Sequence, residues 1–336
     1  MRTIDFLEQG DGAITLIDQR LLPHEKKILT VKTHQELIEA IQTLAVRGAP
    51  ALGVAGALGV ALIALRSQQE NWSQEERDSA IAALRAARPT AVNLAWGVDQ
   101  VLPELVNGPS SVLSSALAIS RADGLANRAM GKLGAAYLLE KCGKKKLRIL
   151  THCNTGSLAT SDWGTALGVI RELSQQGYIE EVFADETRPL LQGSRLTAWE
   201  LSEAGINYRI LPDGAAASAL FSGLIDAVLI GADRIARNGD SANKIGSLGV
   251  AVAAKESGIP FLVVAPESTI DRSLASGDEI EIEFRADSEV THFAGKAVAP
   301  VGAKSYNPAF DVTLARYITA IVTEKCVYNL VAGDEL

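Results

Sequence analysis

LRILTHC, residues 147–153, is a short apolar segment that runs into a polar, Gly-containing loop, Asn154-Thr155-Gly156-Ser157. A brief apolar run bounded by turn-forming residues reads as a buried strand. The same grammar recurs downstream. EVFAD (181–185), NYRIL (207–211), DAVLIGAD (226–233) and IPFLVVAP (259–266) read as strands. Between them lie helical stretches from Trp163 to Gln176, LTAWELSEAG (196–205) and AAASALFSGL (215–224). Strands alternating with helices predict right-handed βαβ units and a parallel sheet covered on both faces. The expected fold class is therefore α/β.

Upstream the pattern is different. The first thirty or so residues suggest one or two short strands with a turn at Gln9-Gly10-Asp11-Gly12. Thr33 followed by Glu36 has the form of a capping box and opens the helical run LIEAIQTLAV (37–46). Further helices are expected over SQEERDSAIAALRAA (73–87), Ala91 to Val106, and Ser110 to about Lys141. Gly143 and the lysines 144–146 form a solvated turn where the pattern switches. The expected division is a mostly helical domain over 1–143, with short N-terminal strands, and an α/β domain over 144–336.

Composition narrows the function classes. The 336 residues are 47% hydrophobic and 21% charged, and carry a formal net charge of −8. That balance argues against coating a nucleic acid, whose phosphates need a basic surface, and leaves room for a small anionic substrate. Cys142, Cys153 and Cys326 are too few and too scattered for a disulfide framework, and no spacing suggests zinc. A reduced, cytoplasmic setting is expected, and MRTIDFLEQGDG lacks the apolar core of a signal peptide. Ala49 to Leu65 is uncharged and just long enough to span a bilayer, but Gly53, Gly56, Gly59 and Pro50 dilute it, so a buried helix is expected.

In open parallel sheets ligands bind outside the carboxyl ends of the strands. Three polar clusters fall there and are expected to share one crevice: Thr151-His152-Cys153-Asn154, Asp185-Glu186-Thr187-Arg188 and Gly231-Ala232-Asp233-Arg234. A thiol at the Cys153 position can gain thiolate character from a nearby helix N-terminus, and can equally be an inert buried side chain. Asp233, just past an apolar strand, can serve as a partly desolvated general acid or as a structural partner of Arg234 or Arg237. His152 adjoins Cys153, yet neighbours on a strand face opposite ways, which argues against a His–Cys dyad. Arg47-Gly48-Ala49-Pro50 places an arginine and free amides at a helix start, suited to an anion or simply to an ordinary helix entrance. Arg88-Pro89-Thr90 and Asn243-Lys244 are further candidate donors. Nucleotide-binding glycine fingerprints are absent.

The chain resembles the methylthioribose-1-phosphate isomerase family, which also holds regulatory subunits of a translation-initiation guanine-nucleotide exchange factor. The resemblance runs nearly end to end: VRGAPALGVAGALG (46–59), RPTAVNLAWGVD (88–99), ILTHCNTGSLAT (149–160), DETRPLLQGSRLTAWEL (185–201), LIGADRIARNGDSANKIGSLGVAVAAK (229–255), IPFLVVAPESTID (259–271) and NPAFDVT (307–313). It implies that Arg47, Gly48, Ala49, Arg88 and Gln192 bind substrate, with Asn243 and Lys244 completing the phosphate and sugar contacts. It implies Cys153 as the residue assisting the transition state and Asp233 as the proton donor. It further implies a Rossmann-like C-terminal domain, a homodimer, a place in methionine salvage, a sugar-phosphate substrate, and no metal or cofactor. The Cys within THCNTG and the Asp within GADR separate the catalytic branch from the regulatory one. Sister isomerases of 5-deoxyribose 1-phosphate or ribose 1,5-bisphosphate share the pair. Leu314 and Cys326 depart from the family pattern, where Pro and Gly are expected.

Overall fold

The computed structural model describes residues 2–89, 91–143 and 146–336. Thr90, Lys144 and Lys145, named above, lie outside them. The chain forms two compact units: Met1–Arg128 with Gly156–Gly164, and Ala129–Thr155 with Thr165–Leu336. The solvated turn at Gly143 ends a helix, whereas the units divide within that helix.

The first unit opens with three antiparallel strands, β1 (Ile4–Leu7), β2 (Ala13–Ile17) and β3 (Ile28–Val31). The third exceeds the one or two expected, because ILTV is half exposed and lacks a clean apolar alternation. Helix α1 (His34–Gln42) starts at Thr33, whose side chain accepts from the Glu36 amide while Glu36 reaches back, a complete capping box. Ser73 and Glu76 cap α3 (Gln74–Arg85) in the same way. Between them runs α2 (Ala49–Gln69), with Pro50 at its second position. This helix is long and apolar enough to cross a membrane, and 78% of its most apolar 18-residue window is buried within the fold. The expected helix from Ala91 to Val106 is instead α4 (Val92–Val101) followed by a 3-10 segment, Leu102–Asn107, that Pro103 starts. Helices α2 and α4 meet backbone to backbone: a Cβ on Gly97 would fall 1.9 Å from the Gly53 carbonyl oxygen. Helix α5 (Pro109–Cys142), 34 residues long, passes from the first unit into the second.

The second unit is a mixed α/β fold built on a seven-stranded sheet. Its strands are β4 (Leu147–Thr151), β5 (Ile179–Asp185), β6 (Tyr208–Leu211), β7 (Ala227–Ile230), β10 (Phe261–Val264), β15 (Ala320–Val322) and β16 (Val327–Tyr328). They run in the order β16-β15-β10-β7-β4-β5-β6, all neighbours parallel except β15 and β16. Alternation splits each strand between two cores. Ile149, Leu229 and Leu262 pack on one face with α6 (Ala166–Gln175) and α7 (Ala198–Glu203), while Leu150, Val228 and Val263 pack on the other with α8 (Ala216–Phe221) and α9 (Ser247–Glu256). Helix α6 begins three residues later than expected, since Trp163 and Gly164 hold φ of 71° and 94°.

A four-stranded sheet sits beyond β7: β8 (Arg234–Ala236) and β9 (Ser241–Lys244) pair antiparallel, with β11 (Ile270–Asp271) and β14 (Phe310–Thr313) at the edges. The two-residue strands β12 (His292–Phe293) and β13 (Lys296–Ala297) make a separate hairpin. The two departures from the family pattern cost the backbone nothing. Leu314 has φ −69°, the value proline would impose, and Cys326 is absent from the residues with positive φ.

Candidate active site

From β4 the chain builds outward through β5 and β6, then returns to lay β7, β10 and β15 on the other side. The order therefore reverses between β4 and β7, the switch point where open α/β sheets bind ligands. Cys153 follows β4 and Asp233 follows β7. The two loops pack together: a Cβ on Gly231 would stand 2.7 Å from Thr155 Cγ2.

Cys153 is not part of the strand, which ends at Thr151. It is 7% exposed and left-handed, at φ 61°. Its amide donates to Thr187 Oγ1 at 2.9 Å, and its carbonyl accepts from Thr197 Oγ1 at 2.6 Å. Next to it, Asn154 donates to Glu200 Oε1 at 2.9 Å, and Glu200 pairs with Arg171 at 2.8 Å. Thr187 is itself left-handed at φ 64°, an unusual conformation for a β-branched residue. Asp213 holds it there, accepting the Thr187 and Arg188 amides at 2.7 and 2.6 Å. A turn later lies Gln192, 6% exposed, whose Oε1 is buried with no hydrogen-bond partner among the described residues. An orphaned buried acceptor is costly to keep, and a substrate hydroxyl would satisfy it.

Asp233 is half-buried at the entrance to β8, and its amide donates to the Ala242 carbonyl at 2.9 Å. That bond sets it beside Asn243 and Lys244 in β9. Asn243 donates to Ser247 Oγ at 2.8 Å, and Lys244 Nζ donates to the Ala309 carbonyl at 2.9 Å over the Phe310 ring. His152 reaches both groups of residues. Its Nδ1 lies 2.9 Å from Asp185 Oδ2 and its Nε2 lies 2.8 Å from the Ile245 carbonyl oxygen. With both ring nitrogens so engaged, none is left for a His–Cys dyad. His152, Asp185 and Asp213 bring ligand-type atoms within 4.8 Å of one another, a cluster that no sequence spacing announces.

The remaining candidates belong to the first unit. Gly48 caps α2 with φ 95° and supplies no side-chain acceptor, as suits a helix start that would receive an anion. Arg47 Nε donates to Gln19 Oε1 at 3.2 Å, and the buried Gln19 donates to the Leu158 carbonyl at 2.7 Å. Arg88 is half-buried just after α3, and its carbonyl accepts the Ala91 amide at 3.0 Å. Gln19, Thr187, Thr197 and Asp213 were not singled out from sequence as separate site residues. Only Thr187 left a trace, inside the polar cluster at the end of β5.

Comparison with known proteins bears on what this arrangement is. A "probable bifunctional methylthioribose-1-phosphate isomerase/methylthioribulose-1-phosphate dehydratase" of Nocardia farcinica is 52% identical over 99% of the chain, and the chain spans 61% of that protein's length. The methylthioribose-1-phosphate isomerase of Acetivibrio thermocellus is 46% identical over 95% of each chain. The 5-deoxyribose 1-phosphate isomerase of Moorella thermoacetica is 47% identical over 94% of this chain and 92% of its own. The crystal structure of 5-methylthioribose 1-phosphate isomerase from Pyrococcus horikoshii superposes with a TM-score of 0.89 and 41% identity, covering 98% of this chain and 92% of that one. A profile described as the initiation factor 2 subunit family matches residues 45–329, and with relatives of that identity along nearly the whole sequence, this chain belongs to that family.

Proposed function

We propose that the protein converts 5-methylthioribose 1-phosphate into 5-methylthioribulose 1-phosphate, an aldose–ketose isomerisation within methionine salvage. The single observation that carries this reading is likeness at 46% identity over 95% of both chains to an isomerase of that name, in a chain that places Cys153 and Asp233 at the switch point of the sheet. The substrate is an aldose locked by phosphate on its anomeric oxygen, so its ring cannot open to a free aldehyde. Asp233 protonates the ring oxygen as the C1–O bond breaks, leaving C1 electrophilic. Hydrogen then moves from C2 to C1 while the C2 hydroxyl loses its proton and becomes the ketone. The transfer runs either as a hydride shift or as a proton through an enediol-like species assisted by Cys153. C1 is reduced and C2 oxidised, so the reaction balances internally and calls for no electron carrier. Arg47, the Gly48 and Ala49 amides, Arg88, Asn243 and Lys244 bind phosphate and sugar, and Gln192 takes a hydroxyl.

The reading includes a Rossmann-like catalytic domain over 144–336 and a mostly helical domain over 1–143, a homodimer, and a cytoplasmic location. A second reading, 5-deoxyribose 1-phosphate as substrate, is favoured by the Moorella relative at 47% identity. A non-catalytic regulatory role is opposed by the presence of both Cys153 and Asp233. The test is turnover of 5-methylthioribose 1-phosphate, 5-deoxyribose 1-phosphate and ribose 1,5-bisphosphate by the purified protein. The first is expected to give the highest kcat/KM, and no turnover of any of them would overturn the proposal. Solvent deuterium at C1 of the product would exclude the hydride route.

A further inference from the structure

The site in the second unit has two sides that approach along different strands. One carries Cys153, Thr187 and Gln192; the other carries Asp233, Asn243 and Lys244. We infer that His152 is the positioning residue that keeps these two sides in register, acting through the Ile245 carbonyl on Asn243 and Lys244. The inference rests on the isomerase reading.

The geometry is specific. His152 lies between the end of β4 and Cys153 and is 1% exposed. Ile245 directly follows Lys244 at the end of β9. Its carbonyl accepts from Nε2 at 2.8 Å, and its amide donates to the Ala309 carbonyl at 3.1 Å, the same oxygen that Lys244 Nζ reaches at 2.9 Å. On the far side, Asp311 accepts the Gly246 and Leu248 amides at 2.8 and 3.1 Å. The Ile245–Gly246 peptide is thus clamped between His152 and Asp311. The ring packs so closely on it that a Cβ at Gly246, where φ is 107°, would stand 2.8 Å from His152 Cε1 and 3.0 Å from Nε2.

Proton counting fixes the state of the pair. A carbonyl only accepts, so Nε2 carries a hydrogen. The contact between Nδ1 and Asp185 Oδ2 needs a second hydrogen between them. The charged groups felt by the pair are Asp213 and Glu186, with Asp311 beyond the ring and Lys244 beside Asp311. Burial opposes the imidazolium, but the hydrogen bond and negative charge of Asp185, with the Ile245 carbonyl and Asp213, outweigh it and hold His152 above its ordinary range. Burial likewise pushes the Asp185 carboxyl up. One proton therefore lies between Nδ1 and Asp185, and Nε2 is a donor committed to the Ile245 carbonyl. Such a residue shapes the site without exchanging protons with substrate.

Two substitutions separate the roles. His152→Gln places an amide N–H where Nε2 stood and keeps the tether to Ile245. His152→Asn reaches only the Nδ1 position and loses the tether. His152→Asn is expected to raise KM for 5-methylthioribose 1-phosphate by about tenfold or more with kcat within about threefold, and His152→Gln to recover most of that KM. Equal defects in the two variants, or a loss confined to kcat, would overturn the inference. Amide exchange over residues 241–248 reads the tether without turnover: it should quicken in His152→Asn and stay near the parent rate in His152→Gln, and unchanged exchange in His152→Asn sinks the idea. If the parent turns over none of the three sugar phosphates, the isomerase reading fails while the exchange result still decides the tether. Should His152→Asn not fold, ¹⁵N-histidine spectra of the parent decide instead. With only four histidines in the chain, His152 should show a protonated Nε2, and a bare Nε2 would refute the arrangement.

Discussion

The two strand ends that carry the proposed catalytic pair are held by opposite means. Past β4, Cys153 and its neighbour Thr187 both stand in left-handed backbone, fixed by side chains: Thr187, Thr197 and Asp213. Past β7, Asp233 leads straight into β8, and an ordinary backbone bond to Ala242 sets its place. Strained backbone costs about 1–3 kcal/mol per residue and persists only where its surroundings over-determine it. The Cys153 side is therefore a placed element with energy stored in it, and the Asp233 side is a relaxed strand whose position is inherited from the ladder.

The largest effect should strike both sides alike. Cys153→Ala and Asp233→Asn are each expected to lower kcat by about 10²–10⁴-fold, the usual contribution of a positioned proton-transfer group. Parent-like rates in both, with 5-methylthioribose 1-phosphate as substrate, would break the assignment of the pair. Stability should then distinguish the sides. Thr187→Val leaves the buried Cys153 amide without its acceptor and should cost about 1–3 kcal/mol in urea unfolding, a loss that has no counterpart in the backbone bond from Asp233 to Ala242, which a side-chain substitution leaves in place. A subtler contrast uses the left-handed backbone itself. Cys153→Gly should be more stable than Cys153→Ala by about 1 kcal/mol, since glycine adopts φ near 61° without penalty. The pH dependence comes from the His152–Asp185 pair that bridges the two sides. His152 is held above its ordinary 6.5, and Asp185 above its ordinary 3.8. A proton bound more tightly in the folded state stabilises it below the unfolded pKa, and that contribution is lost as pH rises through the folded pKa. Unfolding free energy should therefore fall as pH rises above about 6.5, and fall less in His152→Gln. The smallest effect lies far from the pair: Leu314→Pro, at φ −69°, should leave stability unchanged or raise it by about 0.5 kcal/mol.

The same contrast explains what could be read from sequence. Strands β4, β5, β6, β7 and β10 are apolar runs bounded by turn-formers, and the capping boxes at Thr33 and Ser73 mark helix starts by local chemistry. RIA and SANK, which form β8 and β9, are short and polar, and nothing in them alternates. AIV, which forms β15, is too brief to stand out although all three residues are buried. At the site, Cys153 and Asp233 were visible as polar residues following apolar strands. The left-handed backbone at Cys153 was not visible, because nothing in the residues THCNTG demands it. The pairing of His152 with Asp185 joins positions 33 apart, and the support from Asp213 and Thr197 arises only when the sheet assembles.

The route of the chain through the two units has a consequence for synthesis. Residues 156–164 complete the first unit, yet they are made after α5 and β4. Gln19, Thr3 and Asp123 find their partners Leu158, Ser157 and Ser161 only in that late segment. On the ribosome the N-terminal portion must therefore wait, unfinished, until residue 164 has emerged. A fragment cut after residue 143 would lack the piece that closes it, so a faithful two-part version of this protein would have to carry residues 156–164 with its first half.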